Sequence, residues 1–236
     1  MAAVDNKIAL YITHPHPCSY LQGKEAVTLF VDPALPITEE LYSRSTDVGF
    51  RRSGKHLYKP RCTECSACIP VRVSTEHFKP SRNQKRVLKK NRDLTFSLVD
   101  TISNDECYRL YERYIAMRHF DGDMYPANRE QYDSFLQAVS GITHYFAIFQ
   151  NEKLLGIAVT DKLKNGLSAI YTFYDPLHEN RSLGVFAILK QIEIAQSMNL
   201  PFLYLGFWIK DCQKMNYKTR YRPFQMFTKG RWVDVN

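Results

Sequence analysis

Three cysteines with metal-ligand spacing lie inside the most basic stretch of the chain. Cys62, Cys65 and Cys68 form a Cys-x2-Cys-x2-Cys pattern, which is typical of the ligands of zinc or of an iron–sulfur cluster. The surrounding segment 49–92 holds 13 Lys and Arg residues against two Glu, whereas the whole chain has a formal net charge of +8. This concentration of positive charge predicts a polyanionic or acidic partner. A basic surface that is merely solvated is the alternative.

A fourth ligand for a tetrahedral zinc site would come from outside that motif. Cys18 follows a stiff His-Pro-His-Pro approach and is one candidate. Nearby histidines are the other candidates: His14, His16 and His56. Reduced thiols that bind no metal remain a further possibility. Cys107 and Cys212 stand apart from the motif and are expected to be buried thiols.

Composition bounds the class of protein and its compartment. With 236 residues, 44% of them hydrophobic and 24% charged, the chain is long enough for one large domain or two small ones with a buried core. It contains no apolar run of the length that a membrane-spanning helix needs. Its first residues lack the basic and apolar regions of a secretory signal. We therefore expect a cytoplasmic protein whose six cysteines are reduced.

The basic half of the chain contains signals for short strands and helices. Thr38 can cap a helix, and Ile69–Ser74 is typical of a strand that leaves the cysteine motif. Ser81 and Gln84 form a capping box, which opens a basic helix that ends near Asn91. Two weaker strand signals lie nearer the N-terminus, at residues 7–13 and 29–31.

The second half begins with a strand and two helices. Leu94–Val99 alternates in the manner of a strand. Ser103 and Glu106 form a second capping box for a helix that runs towards His119, and Asn128 opens another helix. Three apolar runs then predict antiparallel strands, with an Asn-Gly hairpin turn before the last, at residues 144–149, 154–161 and 167–174.

The chain closes with a helix and three more strands. Ser182 is expected to cap a helix over residues 183–198. Strand signals follow at residues 202–205, 225–227 and 232–233, the last two forming a hairpin. This succession of elements is similar to that of GNAT-type acyltransferases. We therefore predict an α/β (α+β) fold with a mixed, largely antiparallel sheet flanked by helices. In this prediction an N-terminal cysteine-containing domain, 1–92, packs on a GNAT-like acyltransferase domain, 93–236.

The loop that would bind an acyl donor departs from the coenzyme A pattern. In GNAT-type folds the sheet opens after the fourth strand, and the donor binds at the start of the next helix. Coenzyme A enzymes carry an Arg/Gln-x-x-Gly-x-Gly/Ala loop there, whose backbone amides hold the pyrophosphate. The corresponding residues are Arg181, Gly184 and Phe186. The ring of Phe186 is expected to crowd a diphosphate, which disfavours coenzyme A as the donor.

Motifs in the same order along most of the chain resemble the bacterial branch of the arginyl-tRNA–protein transferase-like family. In the first half they are Gly49-Phe50-Arg51-Arg52-Ser53-Gly54, the cysteine motif with Tyr58-x-Pro60 before it, Ile69-Pro70-x-Arg72, and Phe78-x-Pro80-Ser81-x2-Gln84. In the second half they are Phe173-Tyr174-Asp175-Pro176, Ser182-Leu183-Gly184, Tyr204-Leu205-Gly206-x-Trp208-Ile209 and Cys212-x2-Met215-x-Tyr217-Lys218. The resemblance implies transfer of leucine from leucyl-tRNA to proteins that begin with Asp or Glu, which directs them to N-end rule degradation.

The implied reaction requires little covalent chemistry from the protein. The nucleophile is an α-amine with a pKa of about 7.7–8.0, so an appreciable fraction is neutral near pH 7. The enzyme must then supply proximity, a proton acceptor and donors for the developing oxyanion. We predict Asp175 as the proton acceptor and the neighbouring Tyr174 as its catalytic partner. The alternative is that Asp175-Pro176 only ends a strand.

Selection of an acidic first residue requires a fixed cation, and a guanidinium binds a carboxylate best. Arg51, Arg52 and Arg72 lie inside the resembling motifs and are the predicted acceptor-binding residues, although each could instead contact tRNA phosphate. Tyr217 or Trp208 could stack on the terminal adenine or belong to the core. Basic residues of the capped helix and of the tail are predicted to contact the tRNA backbone: Lys85, Arg86, Lys89, Lys90, Lys210, Lys214, Lys218, Arg220 and Arg222.

More than one cofactor and more than one reaction class are compatible with the sequence. The transfer itself is predicted to need no cofactor. Eukaryotic members of the family are associated with iron–sulfur clusters and a cysteine pair near the N-terminus, but here Leu21 stands in place of the second cysteine after Cys18. Zinc or a cluster therefore remains a possibility at Cys18 and the three motif cysteines. Arginyl transfer, a coenzyme A-dependent N-acetyltransferase and a non-enzymatic RNA-binding protein are the alternative functions.

Overall fold

A computed structural model describes residues 8–235 of the chain. The strands in this range are β1 (Leu10–Ile12), β2 (His16–Pro17), β3 (Glu25–Ala26), β4 (Thr28–Val31), β5 (Arg51–Ser53), β6 (His56–Pro60), β7 (Ile69–Ser74), β8 (Leu94–Val99), β9 (Thr143–Gln150), β10 (Lys153–Leu163), β11 (Gly166–Tyr174), β12 (Phe202–Trp208), β13 (Phe224–Thr228) and β14 (Arg231–Val235). The helices are α1 (Glu39–Asp47), α2 (Arg82–Lys90), α3 (Asp105–Arg118), α4 (Arg129–Leu136) and α5 (Leu183–Ser197), with 3₁₀ helices at Pro176–Arg181 and Asn216–Arg220. None of these helices is long and apolar enough to cross a bilayer.

The basic half forms a small antiparallel sheet of order β1-β4-β6-β5, with a two-stranded ribbon of β2 and β3. The strand predicted at residues 7–13 is β1, and residue 7 lies outside the described range. The strand predicted at 29–31 is β4. Thr38 caps α1 as expected, since its hydroxyl accepts a hydrogen bond from the N–H of Leu41. Tyr42 of α1 and Leu57 of β6 pack with Leu163 of β10 and Tyr204 of β12, which joins this half to the rest of the molecule.

The large sheet has eight strands in the order β14-β13-β7-β12-β11-β10-β9-β8. Helices cover both of its faces, α3 and α4 on one side and α2 and α5 on the other. On β10, for example, Ile157 packs beneath the helices of the first face, whereas Ala158 packs against Leu183 and Ala187 of α5. The predicted mixed sheet flanked by helices is confirmed, as is the GNAT-type succession from α3 to β14.

The strand β7 belongs to the basic half in sequence but lies inside the large sheet. It pairs antiparallel with β12 on one side and with β13 on the other. Its interior position explains the burial of Val71 and Val73. The proposed boundary between residues 92 and 93 stays a prediction.

Two helix starts differ in detail from the sequence-based expectation. The helix α3 is capped by Asn104, whose side-chain oxygen accepts from the N–H of Cys107 at 2.8 Å, and not by Ser103. An Asn caps as well as a Ser, and the helix begins one residue later than predicted. Ser182 precedes α5 as expected but has a φ of +54° and makes no side-chain capping bond. The capping box of Ser81 and Gln84 is present in full.

Candidate active site

The large sheet opens between β11 and β12. Within residues 8–235 these two are the parallel neighbours of the sheet, and they pair at only three positions, the last being Ser168 opposite Tyr204. Both strands continue past that point without pairing with each other. A wedge-shaped cleft results, and α5 begins shortly after the end of β11. Such openings at the ends of strands are where ligands of α/β folds usually bind.

The side chain of Arg51, from β5, fills the base of this cleft and is 9% exposed. Its Nη1 donates to Ser168 Oγ at 2.8 Å and its Nη2 donates to the carbonyl oxygen of Ala169 at 2.6 Å, both on β11. On β12, Gly206 has a φ of +80°, and a Cβ there would lie 2.8 Å from Arg51 Nε. Glycine is therefore required for β12 to approach the guanidinium this closely.

A second buried cation lies beside Arg51. Lys218, in the second 3₁₀ helix, is 6% exposed, and its Nζ donates to the carbonyl oxygen of Phe207 on β12 at 2.5 Å. Burial lowers the pKa of Lys218 to about 7, and the charge of Arg51 acts in the same direction. Because Lys218 is buried, it does not lie on the exposed surface that the other residues of the predicted tRNA-contacting set share.

Two tyrosines belong to the same region: Tyr217 precedes Lys218 in the chain, and Tyr174 at the end of β11 lies close enough to Tyr217 to affect it. Burial raises the pKa of Tyr217, an effect that the charge of Arg51 opposes and the phenol of Tyr174 reinforces. The ring of Tyr174 lies over the first turn of α5, where a Cβ on Gly184 would be 3.2 Å from its Cε1 and 3.8 Å from its hydroxyl oxygen. Among the described residues, that hydroxyl has no hydrogen-bond partner. It is therefore available at the start of α5.

Asp175 follows Tyr174 but is already engaged. It is 2% exposed, and its Oδ1 accepts from the N–H of Leu177 at 3.1 Å. Its Oδ2 lies 3.3 Å from Arg113 Nη1 and 3.4 Å from His178 Nδ1. Since its oxygens are occupied by a backbone amide and a guanidinium, Asp175 is not free to hold an incoming amine. The geometry favours the strand-ending alternative for Asp175, in which it caps the 3₁₀ helix.

Two of the three predicted acceptor-binding arginines are committed to the core. Arg52 has a side-chain exposure of 0% and donates through Nε and Nη2 to both carboxylate oxygens of Asp161, at 2.6 and 2.8 Å. Its other N–H groups donate to two carbonyl oxygens and a threonine hydroxyl, so all of its donors are used. Arg72 is stacked on the rings of Phe202 and Trp232, with 3.5 and 4.3 Å from its Cζ to the ring centroids. This leaves Arg51 as the arginine placed at the cleft.

The donor loop disfavours a coenzyme A diphosphate for a reason other than the expected one. The ring of Phe186 is buried edge-on against Phe96, 6.3 Å between centroids, so it points into the core and does not crowd the helix start. Arg181 instead forms a bidentate pair with Asp93, with both Nη–Oδ distances at 2.9 Å. These hydrogen bonds lower the pKa of Asp93 to about 2. The arginine that would contact a diphosphate is therefore already neutralised.

The helix α2 and the C-terminal tail form one basic surface that reaches the donor end of the cleft. Gln84 Nε2 donates to the carbonyl oxygen of Arg220 at 3.1 Å, which ties the tail to α2. Lys90 Nζ donates at 2.7 Å to a carbonyl in the turn before α5. Lys214 pairs with Asp121 at 2.6 Å. The exposed basic residues of the predicted tRNA set are Lys85, Arg86, Lys89, Lys90, Lys210, Lys214, Arg220 and Arg222.

Four cysteines line a separate cavity of about 210 Å³, whose wall also includes Tyr58 and Phe207. They are the three motif cysteines and the predicted fourth ligand: Cys62, Cys65, Cys68 and Cys18. Burial raises the pKa of the Cys68 thiol to about 12, and the other three thiols add to the rise. A bound cation would stabilise the negatively charged thiolate forms of these cysteines. The four sulfur donors therefore suit zinc or an iron–sulfur cluster chemically. Within residues 8–235, however, no three His, Cys, Asp or Glu side chains lie close enough together to hold a metal ion.

The sequence-based prediction did not foresee that Arg51 and Lys218 are buried side by side. It counted Lys218 with the exposed basic tail, although its neighbours Tyr217 and Tyr221 are the aromatic residues of a buried segment. That local signal could have separated Lys218 from its exposed neighbours. Trp208, offered as a stacking residue, packs on the core and donates from Nε1 to a backbone carbonyl at 3.1 Å. The buried positions expected for Cys107 and Cys212 are confirmed.

Comparisons with known proteins cover almost the whole chain. Two family models match it, arginine-tRNA-protein transferase, N terminus, over residues 16–86 and arginine-tRNA-protein transferase, C terminus, over residues 106–228. Aspartate/glutamate leucyltransferases are among its relatives. The one from Saccharophagus degradans is 54% identical with 97% of both chains covered. The one from Teredinibacter turnerae is 55% identical over 98% of this chain and 95% of the relative, and the one from Pseudomonas syringae pv. tomato is 49% identical over 97% of both. The chain therefore belongs to the arginine-tRNA-protein transferase family and, within it, to the aspartate/glutamate leucyltransferases.

Proposed function

We propose that this protein transfers leucine from leucyl-tRNA to the N-terminal α-amine of proteins that begin with Asp or Glu. The observation that carries the proposal is the likeness to aspartate/glutamate leucyltransferases over 97% of this chain at 54% identity. The leucylated product then enters the N-end rule degradation pathway. We place the reaction in the cytoplasm, where aminoacyl-tRNA is found.

The chemistry is the aminolysis of an ester and needs no cofactor for the transfer itself. The neutral α-amine attacks the leucyl carbonyl carbon, the C–N bond forms, and the ester C–O bond to the terminal ribose breaks. The proton that the amine nitrogen loses is the one that the leaving ribose oxygen needs, so the two steps balance. The protein contributes alignment of amine and ester, together with stabilisation of the oxyanion.

We assign the oxyanion contact to Tyr174. Its hydroxyl lies near the first turn of α5, 3.8 Å from the Cβ position of Gly184, without a partner among the described residues. The backbone N–H groups at the start of a helix add a favourable dipole for developing negative charge. Asp175 has a positioning role, because it caps the 3₁₀ helix that leads into α5 and anchors it to Arg113.

The tRNA contacts that we propose follow the basic surface of α2 and the tail. The charged side chains of α2 are exposed, so they can contact phosphate groups without a rearrangement of the fold. Lys90 extends that surface to the turn before α5. The acceptor end of the tRNA would reach the cleft from this side. Contacts of this kind position the nucleic acid and do not read its bases.

A metal at the cysteine cavity is a separate proposal with a structural purpose. Cys18 and the three motif cysteines would hold zinc or a cluster, which would order the segment between β6 and β7. Elemental analysis of anaerobically purified protein tests it. About one zinc, or several irons with sulfide, per chain would support the site, and a metal-free protein with full transferase activity would remove it.

The deciding experiment for the function offers labelled leucyl-tRNA and arginyl-tRNA to peptides that begin with Asp, Glu, Lys or Arg. We expect label from leucyl-tRNA on the Asp and Glu peptides alone. Label from arginyl-tRNA on those peptides would support arginyl transfer instead. Consumption of acetyl-coenzyme A would support an N-acetyltransferase, which the Arg181–Asp93 pair disfavours. Binding of charged and uncharged tRNA without transfer would support a non-enzymatic RNA-binding protein.

A further inference from the structure

Arg51 and Lys218 are two neighbouring cations that are each more than nine-tenths buried. Within residues 8–235, no Asp or Glu side chain forms an ion pair with either of them. Removing a charge from water is costly, and two like charges buried side by side repel each other as well. Arg52 in the same strand shows the usual solution, since Asp161 neutralises it. The pair at the cleft has no such partner, and an anionic ligand would supply one.

We propose that Arg51 and Lys218 form a two-cation site that binds the side-chain carboxylate of the acceptor's first residue, at the base of the cleft between β11 and β12. The inference rests on the proposed function and deepens it. It replaces the three-arginine expectation with one arginine and one lysine. Lys218 thereby becomes a specificity-determining residue of the reaction.

The hydrogen-bonding capacity of the pair supports this assignment. The partners of Arg51 are a hydroxyl and a carbonyl oxygen, each taking one of its N–H groups. Lys218 gives one donor to the carbonyl oxygen of Phe207 and makes a weaker contact to Met215 Sδ at 3.5 Å. A guanidinium has five N–H donors and an ammonium has three, so both keep capacity for an incoming anion. A carboxylate can accept from both at once, and such charge-assisted bonds are strong.

The position of the pair relative to Tyr174 suits an acceptor held by its side chain. Arg51 lies where β11 and β12 part, and Tyr174 lies further along β11 beside the start of α5. An Asp or Glu whose carboxylate is held at the base of the cleft directs its α-amine towards the mouth. The leucyl ester approaches that mouth from the basic surface of α2. The site would therefore select the acceptor and align its amine in one step.

The neighbours of Lys218 are consistent with an anion between the cations. Burial and Arg51 both disfavour its charged form, and a carboxylate would oppose both effects. Cys68 and Cys212 are the other titratable groups that act on Lys218. If Cys68 were a metal-bound thiolate, it could serve as the counter-ion instead, and the experiment has to separate these two cases.

The test compares wild-type protein with Lys218→Met, which keeps an unbranched side chain one atom shorter and removes the charge. Lys153→Met is the matched control, because Lys153 is exposed at the start of β10. Leucine transfer is measured on peptides that differ only in the first residue, Asp against Asn and Glu against Gln. For Lys218→Met we expect the KM of the Asp and Glu peptides to rise about tenfold to a hundredfold, with the KM of leucyl-tRNA unchanged. The preference for Asp over Asn should shrink by the same factor, and Lys153→Met should match wild type.

An unchanged preference for Asp over Asn in a folded Lys218→Met protein overturns the inference while leaving the proposed function intact. A wild-type protein that leucylates no peptide contradicts the proposed function itself. Loss of zinc or iron with an unchanged preference would assign the pair to the cysteine cavity and also overturn the inference. If circular dichroism shows that Lys218→Met does not fold, Lys218→Gln takes its place, because a Gln amide removes the charge but can still donate to the carbonyl oxygen of Phe207. The preference for Asp over Asn should shrink in that variant too, and a preference equal to that of wild type would count against the site.

Discussion

Arg51, Arg52 and Arg72 carry the same side chain but occupy three different environments. Adjacent residues of a strand point to opposite faces, so Arg51 reaches the cleft whereas Arg52 reaches Asp161 of β10. Arg72 lies within the sheet itself, on aromatic rings. Motif matching proposed all three as acceptor-binding candidates from one stretch of the chain. It could not divide their roles, because the partner of each one lies more than 100 residues away in sequence.

Tyr174 gives a prediction about the chemical step. In Tyr174→Phe the ring still packs over Gly184, so the fold is preserved and only the hydroxyl is lost. We expect kcat for leucine transfer to fall about a hundredfold, the usual cost of one oxyanion donor, with little change in either KM. Steady-state kinetics with Tyr11→Phe, an exposed tyrosine of β1, as the control would measure it. A KM effect on the Asp peptide with normal kcat would show that Tyr174 binds the acceptor instead.

Lys218 gives a prediction about pH. Its pKa of about 7 in the free protein means that it is charged below pH 7 and loses its charge as the pH rises. A bound carboxylate raises that pKa, so binding of the Asp peptide takes up a proton above pH 7. The preference for Asp over Asn should therefore be flat from pH 6 to 7 and fall above pH 7 by up to about tenfold per unit. Because the α-amine is common to both peptides, its own titration cancels in the ratio. A ratio that stays constant to pH 9 in wild type would contradict the prediction.

At the scale of elements, the sequence predicted most helices and strands and missed those with weak local signals. The capping box of Ser81 and Gln84 fixes the start of α2 because it satisfies two backbone groups at once. The strands β5 and β6 went unpredicted, since Arg51–Ser53 and His56–Pro60 are polar and lack a clear alternation. Their strand geometry comes from pairing with each other and from β4, contacts that a local pattern does not contain.

The helix α2 gives a prediction about tRNA affinity. Lys85 and Lys89 lie four residues apart on its exposed side, so they share one face. In the double variant Lys85→Gln/Lys89→Gln, we expect weaker binding of leucyl-tRNA and a salt dependence reduced by about 0.7–0.9 in log–log slope per lost contact. Filter binding from low to moderate salt measures both, and the KM of the Asp peptide should not change.

A control variant away from α2 tests whether the reduced salt dependence is specific to that helix. Lys55→Gln/Lys153→Gln removes the same charge from two exposed residues that belong neither to α2 nor to the tail, one in the turn between β5 and β6 and one in β10. If it reduced the salt dependence as much as the α2 variant, net charge alone would explain the binding and the proposed interface would be discarded.

At the scale of the whole molecule, the position of β7 decides how the two halves depend on each other. Local sequence signals identified Ile69–Ser74 as a strand but could not say which sheet it joins. The choice depends on β12 and β13, which lie more than 120 residues further along the chain. The GNAT-like order of elements was enough to predict the cleft. The lining of the cleft by β5 was not predicted, because Arg51 and its partners on β11 are also more than 100 residues apart in sequence.

The interior position of β7 gives a prediction about cooperativity. A fragment of residues 93–236 lacks this strand, so β12 and β13 would each lose one of their two hydrogen-bonded neighbours, and the hairpin of β13 and β14 would be cut off from the rest of the sheet. We expect the fragment to lack a cooperative urea transition, whereas the full chain unfolds in one. Tryptophan fluorescence, from Trp208 and Trp232, and thiol labelling of the motif cysteines should share one midpoint in the full chain. Two separate midpoints, or a fragment that folds alone, would support independent domains at the 92/93 boundary.

The glycine at position 206 ties the shape of the sheet to the choice of substrate. Arg51 is hydrogen-bonded to β11 through Ser168 and Ala169, and Gly206 of β12 leaves room for its guanidinium between the two strands. A substitution of Arg51 would therefore alter the spacing of the strands together with the charge offered to a protein's first residue. Lys218 donates to only one carbonyl oxygen of β12, so a substitution of Lys218 should disturb the sheet less. Evolution or engineering towards a different class of N-terminus would then proceed more readily through the lysine than through the arginine.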